Sequence, residues 1–536
     1  MTHGIVSAPQ PEAVEAGIEA LEKGGNAVDA AIATALVQTV VDPQMCGIAG
    51  FGSMQLYLPE PKVHSCLDFH GRAPSKVTPD MWEDRILSEA EDGFGFILED
   101  HLNDVGYGAI TTPMSLKAYD EALTRFGTMT LSDLMQPAIS YAEEGFMVRP
   151  HVSYFWNLVE GGGRAPHRDR VTRLAEARRI YQKDDGSLRK PGEILKNPDL
   201  AATYRQIASE GVESFYRGSV AERIIADMEA NGGYLTREDL QSVSVNEAAP
   251  LWGDYRGHRI ATNNPPGGGV MVLEMLNILE NFDLAAMGHN TPEYIATVSE
   301  AMKIATVDKD QSVGDPNFVD IPMERLNSKT YAAEMAGRIR SGAKTSVPRL
   351  NSGAKESKDT THISVADEHG NCVAMTHSLG MPSGVVTPGL GFMYNGCMSV
   401  FDPRPGRTGS LAPGKSRFTA MAPTMVFRDD EPFFVVGAPG GTYITMGVLQ
   451  AILNVVDFGM NAQEAVSAPR FCTTSDTIDI TNRITRRTES ALKAQGYAVR
   501  RSPLGYHFAG VHALRKTAAG WDGGADPARD GIALSV

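Results

Sequence analysis

Apolar residues in the first part of the chain recur at helical spacing. Val14, Ile18 and Leu21 fall three and four apart, on one face, and predict a helix over residues 11–23. Gly24-Gly25 ends it. Asn26 is a good N-cap for a second helix over residues 27–41, rich in alanine and apolar nearly all round, as a buried helix is. Gly47-Ile48-Ala49-Gly50-Phe51-Gly52 lacks the spacing of a dinucleotide fingerprint and reads as close backbone packing. Residues 54–58 and 62–69 predict a strand pair. Residues 112–146 predict helix in two pieces about Gly127, and 197–241 a charged, helical outer layer. Two short strands about Gly257 follow over 251–263. Asn264-Pro265-Pro266-Gly267-Gly268-Gly269 then leads into a helix over 270–281, either as a tight turn or as a cradle for an anion. Residues 291–307 and 323–341 add helices. Residues 341–359 hold only Val347 and Leu350 as sizeable apolar side chains and read as an exposed linker. The pattern then changes to strands. Residues 361–366 and 372–377 flank the turn signal Asp367-Glu368-His369-Gly370-Asn371. Residues 392–395, 424–427 and 433–436 are further strand candidates. A helix over 443–456 is entered through Pro439-Gly440-Gly441-Thr442. The chain is helix-rich before residue 359 and strand-rich after it.

Composition narrows the classes of function. A chain of 536 residues has room for three to four domains of about 150 residues, or for one large layered domain. Hydrophobic residues at 42% allow a large core. The formal charge of −16 repels phosphate, so neither nucleic acid nor an anionic membrane surface is an expected partner. The five cysteines (Cys46, Cys66, Cys372, Cys397, Cys472) show no Cys-x-x-Cys spacing, so no zinc knuckle or disulfide framework is expected. No metal or organic cofactor is implied. With no signal-peptide pattern and no apolar run of about 18 residues, the chain reads as soluble and cytoplasmic.

Candidate chemistry centres on Thr360. A hydroxyl that attacks a carbonyl needs a base. No Gly-x-Ser-x-Gly elbow is present. A threonine at a chain N-terminus can use its own α-amine, of pKa near 8, once the preceding bond is cut. If the hairpin turns at His369, paired residues have numbers summing to 738, and Thr360 lies opposite Ser378. A hydroxyl there would orient Thr360, and a bulge would shift the pairing by one. The amides of Gly440 and Gly441, just before a helix, would form an oxyanion hole. Taken singly, these stretches also read as an ordinary strand and a tight turn.

Several motifs together resemble the γ-glutamyltransferase family of N-terminal-nucleophile hydrolases, nearly end to end. They are Gly24-Gly25-Asn26-Ala27-Val28-Asp29-Ala30-Ala31, Asn277-Ile278-Leu279-Glu280-Asn281-Phe282-Asp283, Gly314-Asp315-Pro316 and Thr360-Thr361-His362-Ile363-Ser364-Val365. Ala438-Pro439-Gly440-Gly441, Ala468-Pro469-Arg470-Phe471 and Ala525-Asp526-Pro527 complete the set. The resemblance implies an α+β fold, a four-layer αββα sandwich. It implies self-cleavage between Asp359 and Thr360, giving a large chain 1–359 and a small chain 360–536 that stay together as an intertwined heterodimer. It implies that Thr360 attacks a small-molecule amide to form an acyl-enzyme, with Ser378 as the second hydroxyl and Gly440 and Gly441 as the oxyanion pair. Assembly beyond that heterodimer is left open.

The implied pocket departs from the family pattern. His70 stands where glutamyl enzymes carry an arginine, with Arg72 two residues on. Asn395-Gly396-Cys397-Met398-Ser399-Val400 puts Val400 where an acid holds the α-amine. The family's Ser-Ser pair is Thr419-Ala420, and an asparagine two residues after the second hydroxyl is Gly380. An α-ammonium group without its counter-ion loses charge-assisted hydrogen bonds worth about 1.5–3 kcal/mol each. Glutathione is therefore an expected poor substrate, and His70, Arg72 and Arg417 remain as carboxylate partners. The leading expectation is an amidohydrolase for a non-γ-glutamyl amide. The alternatives are a γ-glutamyl transferase with a rearranged pocket, and an uncut, non-catalytic scaffold.

Overall fold

The computed structural model describes residues 3–90, 95–158, 163–348 and 359–536, with residue 359 described by its backbone only. Helix and sheet are mixed throughout. One sheet has seven antiparallel strands in the order Ile532–Ser535, Gly4–Ala8, Asp359–Asp367, Cys372–Gly380, Phe51–Leu58, Val63–Phe69, Asn246–Ala248. A second has six, in the order Gly520–Ala525, His512–Thr517, Glu431–Gly437, Thr424–Arg428, His258–Thr262, Leu251–Tyr255. Both sheets take strands from each side of residue 359.

Three apolar clusters explain how the sheets are held. One contains Ile5, Ala366 and Cys372 of the seven-stranded sheet with Met425, Val435 and Leu514 of the six-stranded one, and so lies between them. A second joins the seven-stranded sheet to the helices Pro11–Glu22 and Ala27–Val41. The third joins the six-stranded sheet to the helices Gly269–Leu279, Pro292–Ser312 and Ile444–Val456. Every residue of Ala27–Val41 is buried, as its all-round apolar pattern requires. Asn26 caps that helix by accepting from the amides of Val28 and Asp29, and the Asp29 carboxylate returns a bond to the Asn26 amide. Gly50 and Gly52 let the edge of Phe51–Leu58 press against its neighbour. A Cβ there would lie 2.3 Å from the Ser378 carbonyl oxygen and 2.5 Å from that of Thr376.

Several expectations are corrected. Residues 392–395 form no strand; Tyr394 and Asn395 make only single bridges, to Ala49 and Pro382. The Asn395 side chain instead accepts from the Thr111 amide and donates to the Ala49 carbonyl, which ties it to loops and not to a ladder. The turn at 264–269 is no anion cradle: the amides of Gly267, Gly268 and Gly269 are taken by Asn264 O, Met421 O and Asn263 Oδ1. Ser328 caps a new helix, splitting residues 323–341 into Met323–Leu326 and Lys329–Arg340. Of the expected linker, residues 349–358 lie outside the described residues. Residues 341–348 are largely exposed, but Val347 is buried and its amide is held by Asp476. Strands Gly4–Ala8 and Ile532–Ser535 were not foreseen. Among the described residues no helix is long and apolar enough to cross a membrane.

One buried carboxyl in the helical layer has a testable consequence. Burial and the neighbouring Asp308 carboxylate push the Glu274 carboxyl well above its ordinary value. Asp308 also accepts the Tyr331 hydroxyl at 2.5 Å. Glu274 therefore stays protonated where the unfolded chain would ionise. Its contribution to stability is complete below about pH 4.3 and is lost as pH rises through the folded value. Glu274→Gln removes that loss. It is expected to raise the thermal midpoint at pH 8 relative to the parent chain and to change it little at pH 4, as read by calorimetry.

Candidate active site

The hairpin of Asp359–Asp367 and Cys372–Gly380 builds the site. Its register pairs Thr361 with His377 and His362 with Thr376, as numbers summing to 738 require, and becomes irregular only between Asp359 and Thr361. Thr360 Oγ1 lies 3.2 Å from Ser378 Oγ, both side chains buried. Ser378 Oγ also accepts the Gly380 amide at 2.7 Å, which uses one of its lone pairs and restrains the hydroxyl. Asp359 and Thr360 begin the same strand.

A buried network that the sequence reading missed steadies the next rung. Gln38, in the last turn of Ala27–Val41, donates to Thr361 Oγ1 (3.0 Å) and to Gln10 Oε1 (3.1 Å), and faces His377 Nε2 at 2.8 Å. The other His377 nitrogen lies 2.6 Å from the Tyr119 hydroxyl. A lone glutamine in an apolar helix is the only sequence signal for this. On the opposite face His362 lies between Thr376 Oγ1 (2.8 Å) and Ser364 Oγ (3.0 Å), its ring packed against Gly437, where any side chain would collide with it.

One small cavity brings together most of the expected site residues. Thr360, Ser378, Cys397, Val400, Arg417, Thr419, Ala420 and Gly441 all line it. So do Phe51, Met381, Ile444 and Arg164, none of them expected. Arg164 is buried and ion-paired with Asp104 at 3.6 Å. Gly440 adjoins Gly441 at the start of the helical turn Gly441–Tyr443, whose first amides have no acceptor within the turn. Gly440 (φ 144°) and Gly441 (φ 55°) both take backbone shapes that favour glycine, and a Cβ on Gly440 would lie 2.7 Å from Ala509 Cα.

The described lining contains no carboxylate and no imidazole. Its titratable groups other than guanidinium reduce to the Cys397 thiol, which burial pushes up and so keeps protonated. Arg417 donates Nη1 to the Phe418 carbonyl (3.0 Å), approaches Cys397 Sγ (3.9 Å) and stacks 4.8 Å from the Phe51 ring centre. Gly380 makes room for this group: a Cβ there would sit 2.7 Å from Cys397 Sγ and 3.5 Å from Arg417 Nη2. Val400 and Arg417 also line a second, wider cavity that touches Lys309, Arg404 and Arg407.

His70 and Arg72 do not face Thr360. They line a separate cavity with Asp68 and Asn246. The His70 Nδ1 is bonded to the Asp68 carboxylate, and Arg72 Nη2 donates to Ser244 O (3.2 Å) and Asn246 Oδ1 (3.1 Å). The strand Val63–Phe69 ends just before them.

Comparison with known proteins places this geometry in context. A family model described as Gamma-glutamyltranspeptidase matches residues 13–536. The chain is 39% identical over 506 residues to the Acylase ACY 1 proenzyme of Pseudomonas sp. (strain V22), covering 94% of this chain and 88% of that one. It is 33% identical over 484 residues to the Glutathione hydrolase proenzyme of Escherichia coli (strain K12), covering 87% and 80%. Among solved structures, the cephalosporin acylase from Bacillus halodurans superposes with a TM-score of 0.88 at 29% identity, over 99% of this chain and 96% of that one.

The histidines around the hairpin give a pH prediction. Burial pushes His362 and His377 down to about 3, and His512, whose ring nitrogens have no hydrogen-bond partner among the described residues, well below its ordinary value. The unfolded chain takes up these protons near pH 6.5, while the folded one refuses them until far lower pH. Their contribution to stability is thus complete above about pH 6.5 and is lost as pH falls towards the folded values. The urea midpoint is expected to drop steeply between pH 6.5 and 4, and less steeply in His377→Gln.

Proposed function

Because the chain belongs to the gamma-glutamyltranspeptidase family, we propose that it is a self-processing amidohydrolase in which Thr360 is the nucleophile and its own α-amine the base. The observation that carries this reading is the cavity lining: a pair of hydroxyls 3.2 Å apart with neither carboxylate nor imidazole among the described groups around them. Some group must take the Thr360 proton, and the α-amine released by cutting before Thr360 sits on the same residue. The proenzyme names of the relatives support such a cut in this chain.

In the precursor, Thr360 Oγ1 attacks the Asp359 carbonyl carbon. The C–N bond breaks, the nitrogen gains the hydroxyl proton, and an ester forms. Water hydrolyses the ester to the Asp359 carboxylate and a free Thr360 with amine and hydroxyl. Residues 1–359 and 360–536 then remain joined through both sheets, whose strands come from each. In turnover, the amine takes the hydroxyl proton as Oγ1 attacks the substrate amide. The amides of Gly440 and Gly441 receive the oxyanion, the leaving amine takes the proton, and water resolves the acyl ester. Two outer helix-bearing clusters and one between the sheets support the reading of a four-layer αββα sandwich.

The acyl group we assign is small and not γ-glutamyl. Val400, Met381, Ala420 and Ile444 offer nothing to an α-ammonium group, whereas Arg417 presents a cation to a carboxylate. The name of the acylase relative at 39% identity supports an acylase reading. The glutathione hydrolase relatives at 33% favour a second reading, γ-glutamyl transfer.

Thr360→Ala is expected to give a single 57.7 kDa band on a denaturing gel, where the parent gives two, and to lose all turnover. Ser378→Ala is expected to fold and to turn over about 10²-fold more slowly, the scale of a lost general acid–base contribution. A panel of amides read by amine release should favour carboxyacyl amides over a γ-glutamyl anilide. An equal or better rate on the γ-glutamyl anilide would support transfer instead, and one band from the parent chain would remove both.

A further inference from the structure

A chain of hydrogen bonds runs from the surface to the residue beside Thr360. It starts at Asp530, which is partly exposed and lies 3.0 Å from His151 Nδ1. His151 Nε2 faces Asp42 Oδ2 at 3.3 Å. Gln10 Nε2 donates to the same oxygen, and Gln10 Oε1 accepts from Gln38 Nε2. Gln38 Nε2 donates in turn to Thr361 Oγ1. Gln10, Gln38, Asp42 and His151 are all buried. A second arm leaves the backbone of Asp42. Its carbonyl accepts the Met45 amide (3.0 Å), and the Met45 carbonyl accepts the Leu379 amide (3.2 Å). One arm therefore ends next to Thr360 in the sequence, and the other next to Ser378.

Donor and acceptor chemistry fixes the direction of the first arm. A carboxylate only accepts, so Gln10 turns its amide nitrogen to Asp42 and its amide oxygen to Gln38. Gln38 then turns its nitrogen to Thr361 and its oxygen to His377, whose Nε2 donates. The charge on Asp42 thus orients both amides. His151 holds that charge in place. A neutral imidazole donates from one nitrogen only, and His151 has a carboxylate on each, so the ring is an imidazolium. Burial alone would lower its pKa, but the bonds to Asp42 and Asp530 outweigh burial and raise it. Three further charges lie near this group. Arg529 opposes the imidazolium, while Arg149 is paired with Glu12 and lies 4.0 Å from Asp530. Cys46, close to Asp42, stays a neutral thiol because burial pushes it up. Gln10 holds its place at a cost, with its φ at 63° in the region that favours glycine.

We propose that Asp42 is a positioning residue for the Thr360–Ser378 pair, with His151 as its anchor, and that its two arms brace the two strands on which those hydroxyls sit. The effect on turnover rests on the proposed amidohydrolase reading, but the bracing of the hairpin does not. Asp42→Asn keeps the size of the side chain and offers a donor as well as an acceptor. Gln10 and Gln38 can then turn over and present either end of the amide to Thr361. The anchor gives a pH dependence. As pH rises through the raised His151 value, the ring loses one donor, and one of its two carboxylates then faces a lone pair.

Two measurements test this on the parent chain, Asp42→Asn, Asp42→Ala and His151→Gln. They are turnover of a carboxyacyl anilide and amide hydrogen exchange of residues 361–379, read by mass spectrometry. Asp42→Asn is expected to fold, to keep KM within about twofold and to lower kcat by about tenfold or more. Its exchange over 361–379 should be faster by a similar factor, with exchange in the helix Pro292–Ser312 unchanged. Asp42→Ala should show the same pattern more strongly. The kcat of the parent should fall as pH rises through the His151 value, and His151→Gln should lack that fall. Unchanged kcat and unchanged hairpin exchange in folded Asp42→Asn and Asp42→Ala would overturn the proposal. So would faster exchange spread equally over Pro292–Ser312, the mark of general destabilisation. An alkaline fall that survives in His151→Gln would overturn the role of His151. A parent that turns over no amide, with hairpin exchange that still rises in Asp42→Asn, would keep the brace and defeat the amidohydrolase reading instead.

Discussion

The antiparallel register of one hairpin governs the site. Thr360 and Ser378 meet because regular pairing runs up to Thr361 and His377, which brings the next two side chains within 3.2 Å at the irregularity that follows. A one-residue slip would send both hydroxyls to the opposite face of the sheet. The structure guards against that slip from both faces. Gln38 ties Thr361 and His377 together from the helix side, and His362 is wedged against Gly437 from the side of the other sheet. Both devices are buried polar contacts, which cost free energy unless matched, so they penalise wrong registers more than they reward the right one.

This explains what the sequence made legible. The two helices at 11–23 and 27–41, the 361–377 hairpin and the Gly440-Gly441 turn all depend on local periodicity or turn chemistry, and appear where expected. The pairing of Thr360 with Ser378 followed from counting outward from His369. Strands Gly4–Ala8 and Ile532–Ser535 were missed because each is short and stabilised by partners hundreds of residues away. Residues 392–395 looked like a strand because apolar and aromatic side chains favour one, yet Asn395 spends its amide on Thr111 and Ala49. Side-chain direction was the hardest part. His70 and Arg72 align with a pocket position in sequence, but the turn after Phe69 and the Asp68 carboxylate aim them into another cavity.

The pocket itself shows how a few substitutions act together. Gly380, Cys397 and Arg417 are far apart in the sequence and contiguous in space. A side chain at 380 would collide with Cys397 Sγ and touch the Arg417 guanidinium. Among its described residues this wall presents the Arg417 cation and, at Val400, an apolar side chain.

The order of strands has a consequence in time. The sheet that carries Thr360 includes Ile532–Ser535, paired to Gly4–Ala8, which in turn pairs with the nucleophile strand. Those residues leave the ribosome long after Thr360 does. The sheet is therefore incomplete while synthesis continues, and any step that needs its finished geometry waits for residues 532–535.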